Sequence, residues 1–188
     1  LFAEIASAEQ TTCRTGNSLT WDSQPCAIEM PAAQRGWKHR EGYHINCGKS
    51  LQRIWEKPDE VCVEPVAEYG TFREALTTRR WFAVVIQPYP GAKSTLATDT
   101  ARILDFIRLT RENEANAETV FYIYAGWPAQ HLGPLKDAWR AAVLDVDSTP
   151  TVLAEAYFDH LLRRVRGEAE ADVRVIPVGH AFAALDER

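Results

Sequence analysis

Gly16-Asn17-Ser18-Leu19-Thr20 is the first place where the sequence offers chemistry. A serine hydroxyl becomes a nucleophile only when a base takes its proton and a tight turn exposes it. Gly16 and Asn17 are residue types that tolerate left-handed backbone, so they suit such a turn. A plainer role fits the same residues, because serine ahead of an apolar helix is a common N-cap. Taken alone, the pentapeptide favours the cap.

A nucleophile needs a base, and the chain has five histidines. His180 follows an apolar run at 173–178 and is the candidate; its plainer reading is a residue opening a helix over 181–185. His44 reads as a strand residue facing one side of a sheet. His39 lies in the basic Lys38-His39-Arg40, which reads as exposed surface, and His131 and His160 read as loop and helix surface. No His/Asp/Glu cluster has the spacing of metal ligands, so neither a metal nor another cofactor is implied. Cys13, Cys26, Cys47 and Cys62 contain no CxxC pair. They are open to one or two disulfides if the protein is exported, or to burial as small apolar side chains.

Three apolar runs rich in β-branched or aromatic residues predict buried strands over 81–87, 119–125 and 173–178, and a weaker, alternating pattern marks another strand candidate over 41–47. Periodicity predicts helices over 95–112 and 151–166, the second capped near Asp147-Ser148-Thr149-Pro150 and stopped by Gly167. Residues 21–34 predict a helix broken by Pro25 and Pro31. Alternating strands and helices imply right-handed crossovers and an α/β fold with a doubly wound, mostly parallel sheet between two helical layers. Ligands of such sheets gather at the carboxyl ends of the strands. Gly16-Asn17-Ser18, Cys47-Gly48, Gln87-Pro88-Tyr89, Gly126-Trp127-Pro128 and Gly179-His180 all belong there. Trp81, Phe82, Phe121, Tyr122 and Tyr124 read as core, whereas Trp21, Tyr89 and Trp127 would wall the site.

The motifs in order resemble the SGNH hydrolases, the GDSL-like esterases, in the branch whose first block reads G-N-S-L/F-T. Gly48 in His44-Ile45-Asn46-Cys47-Gly48 is similar to the second block, and Val84-Val85-Ile86-Gln87-Pro88-Tyr89 to the third, where Gln follows the apolar strand. Val175-Ile176-Pro177-Val178-Gly179 resembles the last strand of the family. The resemblance implies a flavodoxin-like sheet and Ser18 as nucleophile. It implies an oxyanion hole built from the Ser18 amide, the Gly48 amide and the Gln87 side chain. The implied reaction is hydrolysis of an O-acyl ester, on an acylated carbohydrate or a small ester, through an acyl-serine intermediate.

Two departures stand against it. Thr11-Thr12-Cys13-Arg14-Thr15 replaces the apolar first strand, and no Asp-x-x-His follows Val178. The expectation is a single domain over 11–188, incomplete at its carboxyl end, that hydrolyses a simple aryl acetate hardly above background. The competing expectation is a binding domain that keeps the cleft without the triad.

Composition bounds both readings. The chain has 188 residues, 46% of them hydrophobic, enough for one buried core. A net charge of -5 speaks against nucleic acid or an anionic membrane as partner, and no apolar run reaches bilayer length. Leu1 to Ala8 end in small-x-small residues, as the tail of a secretory signal does, which tilts the expectation toward a secreted or periplasmic protein.

Overall fold

The computed structural model describes residues 9–89, 94–127, 135–140 and 155–186. The predicted cap at 147–150, Pro128, His131 and the first eight residues lie outside them.

The sheet is built from β1 (Gln10–Gly16), β2 (His39–Ile45), β3 (Ala83–Ile86), β4 (Val120–Tyr124) and β5 (Val173–Ile176), in the order β2-β1-β3-β4-β5. All four pairings are parallel. The strands expected at 81–87, 119–125 and 173–178 are therefore neighbours running the same way. The last ends two residues early, because Val178 already opens the final helix.

The doubtful first strand is a complete one and lies inside the sheet, between β2 and β3. Its threonines are β-branched and fit the pleat. Its one charge, Arg14, is neutralised from the next strand: Nε and one terminal nitrogen each reach an oxygen of Glu41 at 3.0 Å. Both residues are buried, and His39 Nε2 lies 2.9 Å from the same carboxylate. His39 is thus a half-buried strand residue rather than a surface one, and burial lowers its pKa. Burial likewise pushes the Glu41 carboxyl up, with the Arg14 guanidinium opposing that shift.

Because side chains alternate across a strand, the register assigns two different faces. Cys13, Val84, Ile86, Phe121, Ile123 and Val173 share one. The helices α3 (Leu51–Glu56), α4 (Phe72–Thr78), α5 (Leu96–Arg111) and α7 (Glu155–Glu168) pack over it with Ile54, Phe72, Ile103, Phe106 and Leu161, all fully buried. The other face carries Arg14, Glu41, Tyr43, Val85 and Tyr124. The right-handed crossover from β1 to β2 lays α1 (Ser18–Asp22), a 3-10 turn (Pro25–Ile28) and α2 (Glu29–Gln34) over that polar face. This is the broken helix expected at 21–34, with Pro25 opening the turn and Pro31 in the first turn of α2. The remaining helices are α6 (Leu135–Arg140) and α8 (Val178–Asp186), which contact each other.

Three expectations need correction. Phe82 is not core; it precedes β3 and is 51% exposed. Gly167 does not stop α7, which runs on to Glu168. Helices α3, α4 and α6 were not anticipated, although Thr71 and Glu74 form a capping box that starts α4.

Helices α5 and α7 are tied by a buried carboxylate. Asp99 Oδ2 accepts from Ser94 Oγ at 2.8 Å and from the Tyr157 hydroxyl. Burial, partly opposed by those two donors, raises its pKa to about 6 from 3.8. A carboxyl whose pKa is raised on folding adds stability that is complete below 3.8 and is lost as pH climbs through about 6. Two units correspond to about 3 kcal/mol. Stability should therefore fall between pH 4 and 7 in the native protein, and Asp99→Asn should flatten that slope. Urea unfolding at several pH values checks it, and an unchanged slope in the variant would refute it.

Candidate active site

Order β2-β1-β3 makes the gap between β1 and β3 the point where the winding reverses, and ligands of doubly wound sheets bind there. Ser18 leaves β1 and Gln87 leaves β3, one on each side of that point. Gly48 follows β2, a neighbouring strand about 4.8 Å from β1.

The turn that presents Ser18 is not left-handed. Asn17 has φ −119°, and Gly16 is not among the positive-φ residues. Gly16 is required for space: a Cβ there would lie 2.3 Å from Thr20 Oγ1 and 2.7 Å from Gln87 Cβ. The N-cap of α1 is Asn17, whose Oδ1 accepts from Leu19 N at 2.9 Å. Ser18 is thereby released from the capping role that the pentapeptide alone favoured. It sits at the first helical position, half-buried.

Gln87 is fully buried behind this turn. Its Oε1 accepts from Asn17 N at 3.1 Å and from Thr20 Oγ1 at 2.8 Å, while Nε2 donates to Pro88 O at 3.1 Å. Gly48 does take the left-handed conformation, φ +66°, in an exposed turn. Two restraints hold that turn: Asn46 N donates to Gly16 O at 2.9 Å, and Cys47 is disulfide-bonded to Cys62. Of the alternatives open for the cysteines, one disulfide forms, Cys13 is a buried thiol and Cys26 an exposed one. Neither the Ser18 nor the Gly48 amide has an acceptor among the described residues.

The aromatic residues divide. Trp21 is 39% exposed and meets Tyr43 edge-on at 5.3 Å. Tyr89 is half-buried after β3; Trp127 is half-buried after β4 and packs on Phe182 at 4.7 Å. Tyr43 was not anticipated, since 41–47 was read as a strand without its face assigned.

His180 is in α8, its Nε2 2.8 Å from Glu155 Oε1 and its ring against Trp139. It follows β5, three strands from β1, so the two strand ends lie about 14 Å apart. His44 is buried on β2; its Nδ1 accepts from Phe72 N at 3.3 Å, and burial lowers its pKa to about 4. Among the described residues no histidine is bonded to Ser18, and no group of His, Cys, Asp and Glu could hold a metal ion. Cavities of about 680 and 540 Å³ open at the amino edge of the sheet, beside Arg111 and beside Trp37, away from Ser18. No described helix is long and apolar enough to cross a membrane.

No protein-family model matches the chain, and a search of curated proteins finds no match. Solved structures of similar shape include TesA, with a TM-score of 0.49 and 11% identity over 95% of this chain and 75% of that one. A DUF4886 family protein from Bacteroides uniformis ATCC 8492 reaches a TM-score of 0.59 at 16% identity, over 93% of this chain and 69% of its own. That likeness, together with the sheet order, makes the chain an α/β protein with a doubly wound parallel sheet.

Proposed function

We propose that the protein is a serine hydrolase of the SGNH type that cleaves O-acyl esters. The observation that supports this reading is topological: Ser18 leaves β1 at the switch point, Gly48 follows the adjacent strand β2, and neither amide has an acceptor among the described residues. In the proposed reaction Ser18 Oγ attacks the acyl carbon and gives up its proton to a base. The Ser18 and Gly48 amides face the oxyanion, the alcohol departs with a proton, and water releases the acid from the acyl-serine. Two such donors have the value usual for an oxyanion hole, each worth on the order of a hundredfold or more in rate. Asn17 sets the turn. Trp21, Tyr89 and Trp127 give the entrance an aromatic character that suits a sugar ring or small acyl group.

A binding domain without a triad is the second reading. The one observation in its favour is that no described histidine is bonded to Ser18, His180 being paired with Glu155 instead. Treatment with a fluorophosphonate separates the two, because it phosphonylates only an activated serine. The expected result is a single adduct on the peptide containing Ser18 and none in Ser18→Ala. An unlabelled, folded native protein would favour the binding domain.

A further inference from the structure

We infer that Gln87 and Thr20 form a clamp that positions Ser18, and that the Gln87 carboxamide is not the third oxyanion donor that the family resemblance implies. The inference rests on the serine-hydrolase reading and names how its nucleophile is held.

Asn17 N can only donate, so the Gln87 atom 3.1 Å from it is the carboxamide oxygen, which orients the whole group. That oxygen takes a second bond from Thr20 Oγ1, also fully buried. The nitrogen is turned back onto Pro88 O. One acceptor at the end of β3 thus grips the residue before Ser18 and the residue two after it. Ser18 is fixed from both sides without being touched. Gly16 belongs to the same device, since a Cβ there would drive into both Thr20 Oγ1 and Gln87. The spacing G-N-S-x-T then has a reason at each place: room for the clamp, cap and clamped amide, nucleophile, and clamped hydroxyl. A carboxamide held this way is sunk beneath the turn rather than facing a reacting carbonyl.

The two roles predict opposite patterns in variants. In a clamp, Thr20→Val removes one of two bonds to the shared oxygen and should lower kcat for an ester about tenfold, with KM nearly unchanged. Thr20→Ser keeps the hydroxyl and should restore the rate. Gln87→Leu should lower kcat further, and adding Thr20→Val to it should cost nothing more, because the shared acceptor is already gone. Hydrogen exchange of the Asn17 amide supplies a reading independent of turnover: it should quicken at least tenfold in Gln87→Leu while the melting temperature of the core changes little. An oxyanion donor would give a large loss in Gln87→Leu, none in Thr20→Val and no change at Asn17; that pattern overturns the clamp. Native protein without Ser18-dependent turnover would remove the proposed reaction, yet the Asn17 exchange would still decide whether the clamp exists.

Discussion

Ser18→Ala should abolish ester hydrolysis while leaving the fold intact. In a complete serine enzyme, losing the nucleophile costs on the order of a millionfold in kcat and leaves roughly a thousandfold over water. The residual comes from the oxyanion donors and from binding. Here both proposed donors are backbone amides, which the substitution leaves in place. The cap of α1 belongs to Asn17, and the clamp engages Asn17 and Thr20, so removing Ser18 Oγ disturbs neither. A change on a half-buried side chain of this kind stays within about 0.5 kcal/mol in stability. Initial rates on an aryl acetate and on acetylated oligosaccharides, with urea unfolding of both proteins, check the pair of expectations. Equal rates well above background in the native protein and the variant would place the chemistry elsewhere, and two rates at background would favour the binding domain.

The second large effect is on stability. Arg14→Met should destabilise the protein by about 3–5 kcal/mol, the usual cost of removing one partner from a buried ion pair. Met keeps most of the apolar stem, so the loss is electrostatic: the Glu41 carboxylate stays buried with only His39 beside it. The double variant Arg14→Met/Glu41→Leu should recover most of that loss, because no uncompensated charge remains. The sign with pH follows. Without Arg14 the Glu41 pKa rises further, and the folded state tolerates the protonated form. The deficit of Arg14→Met should then shrink as pH falls toward the ordinary Glu value of about 4.3. Chemical denaturation of the three variants at neutral and acidic pH measures it. A double variant as unstable as the single one would mean that the apolar packing of Arg14, not charge, holds the strand.

These two residues also show where the sequence was legible. Strand β3 is a continuous apolar run because both faces are covered, and it could be read directly. Strand β4 is apolar with alternate residues half-buried, and β5 was read from its β-branched residues although it is an edge strand whose Arg174 is exposed, rather than a buried one. Strand β1 could not be read this way, because its stability depends on Glu41, 27 residues away, which no local pattern reveals. Ser18, Gly48 and Gln87 were found as motifs in order, and the parallel sheet puts their loops on one edge. The part proposed for Gln87 was not legible: whether a carboxamide faces a ligand or its own chain depends on the rotamer, and the proposal rests on the Asn17 and Thr20 contacts. Gly16 was read for backbone freedom, whereas the restriction is steric. Tyr43 was missed because alternation alone does not say which face of an edge strand is roofed by a short helix.

The strand order has a consequence for the chain as it leaves the ribosome. Strands β1, β2 and β3 are made before β4 and are adjacent in the finished sheet. Every partner of the Ser18 turn described above, Gln87 included, has been synthesised by residue 88. Domains tend to form in the order of synthesis. A nascent three-stranded unit would therefore carry the clamp before β4 exists, with the open edge of β3 awaiting its neighbour. Until Val120–Tyr124 emerges, that edge is a row of unpaired amides and carbonyls, the part of the molecule most exposed to pairing with another chain.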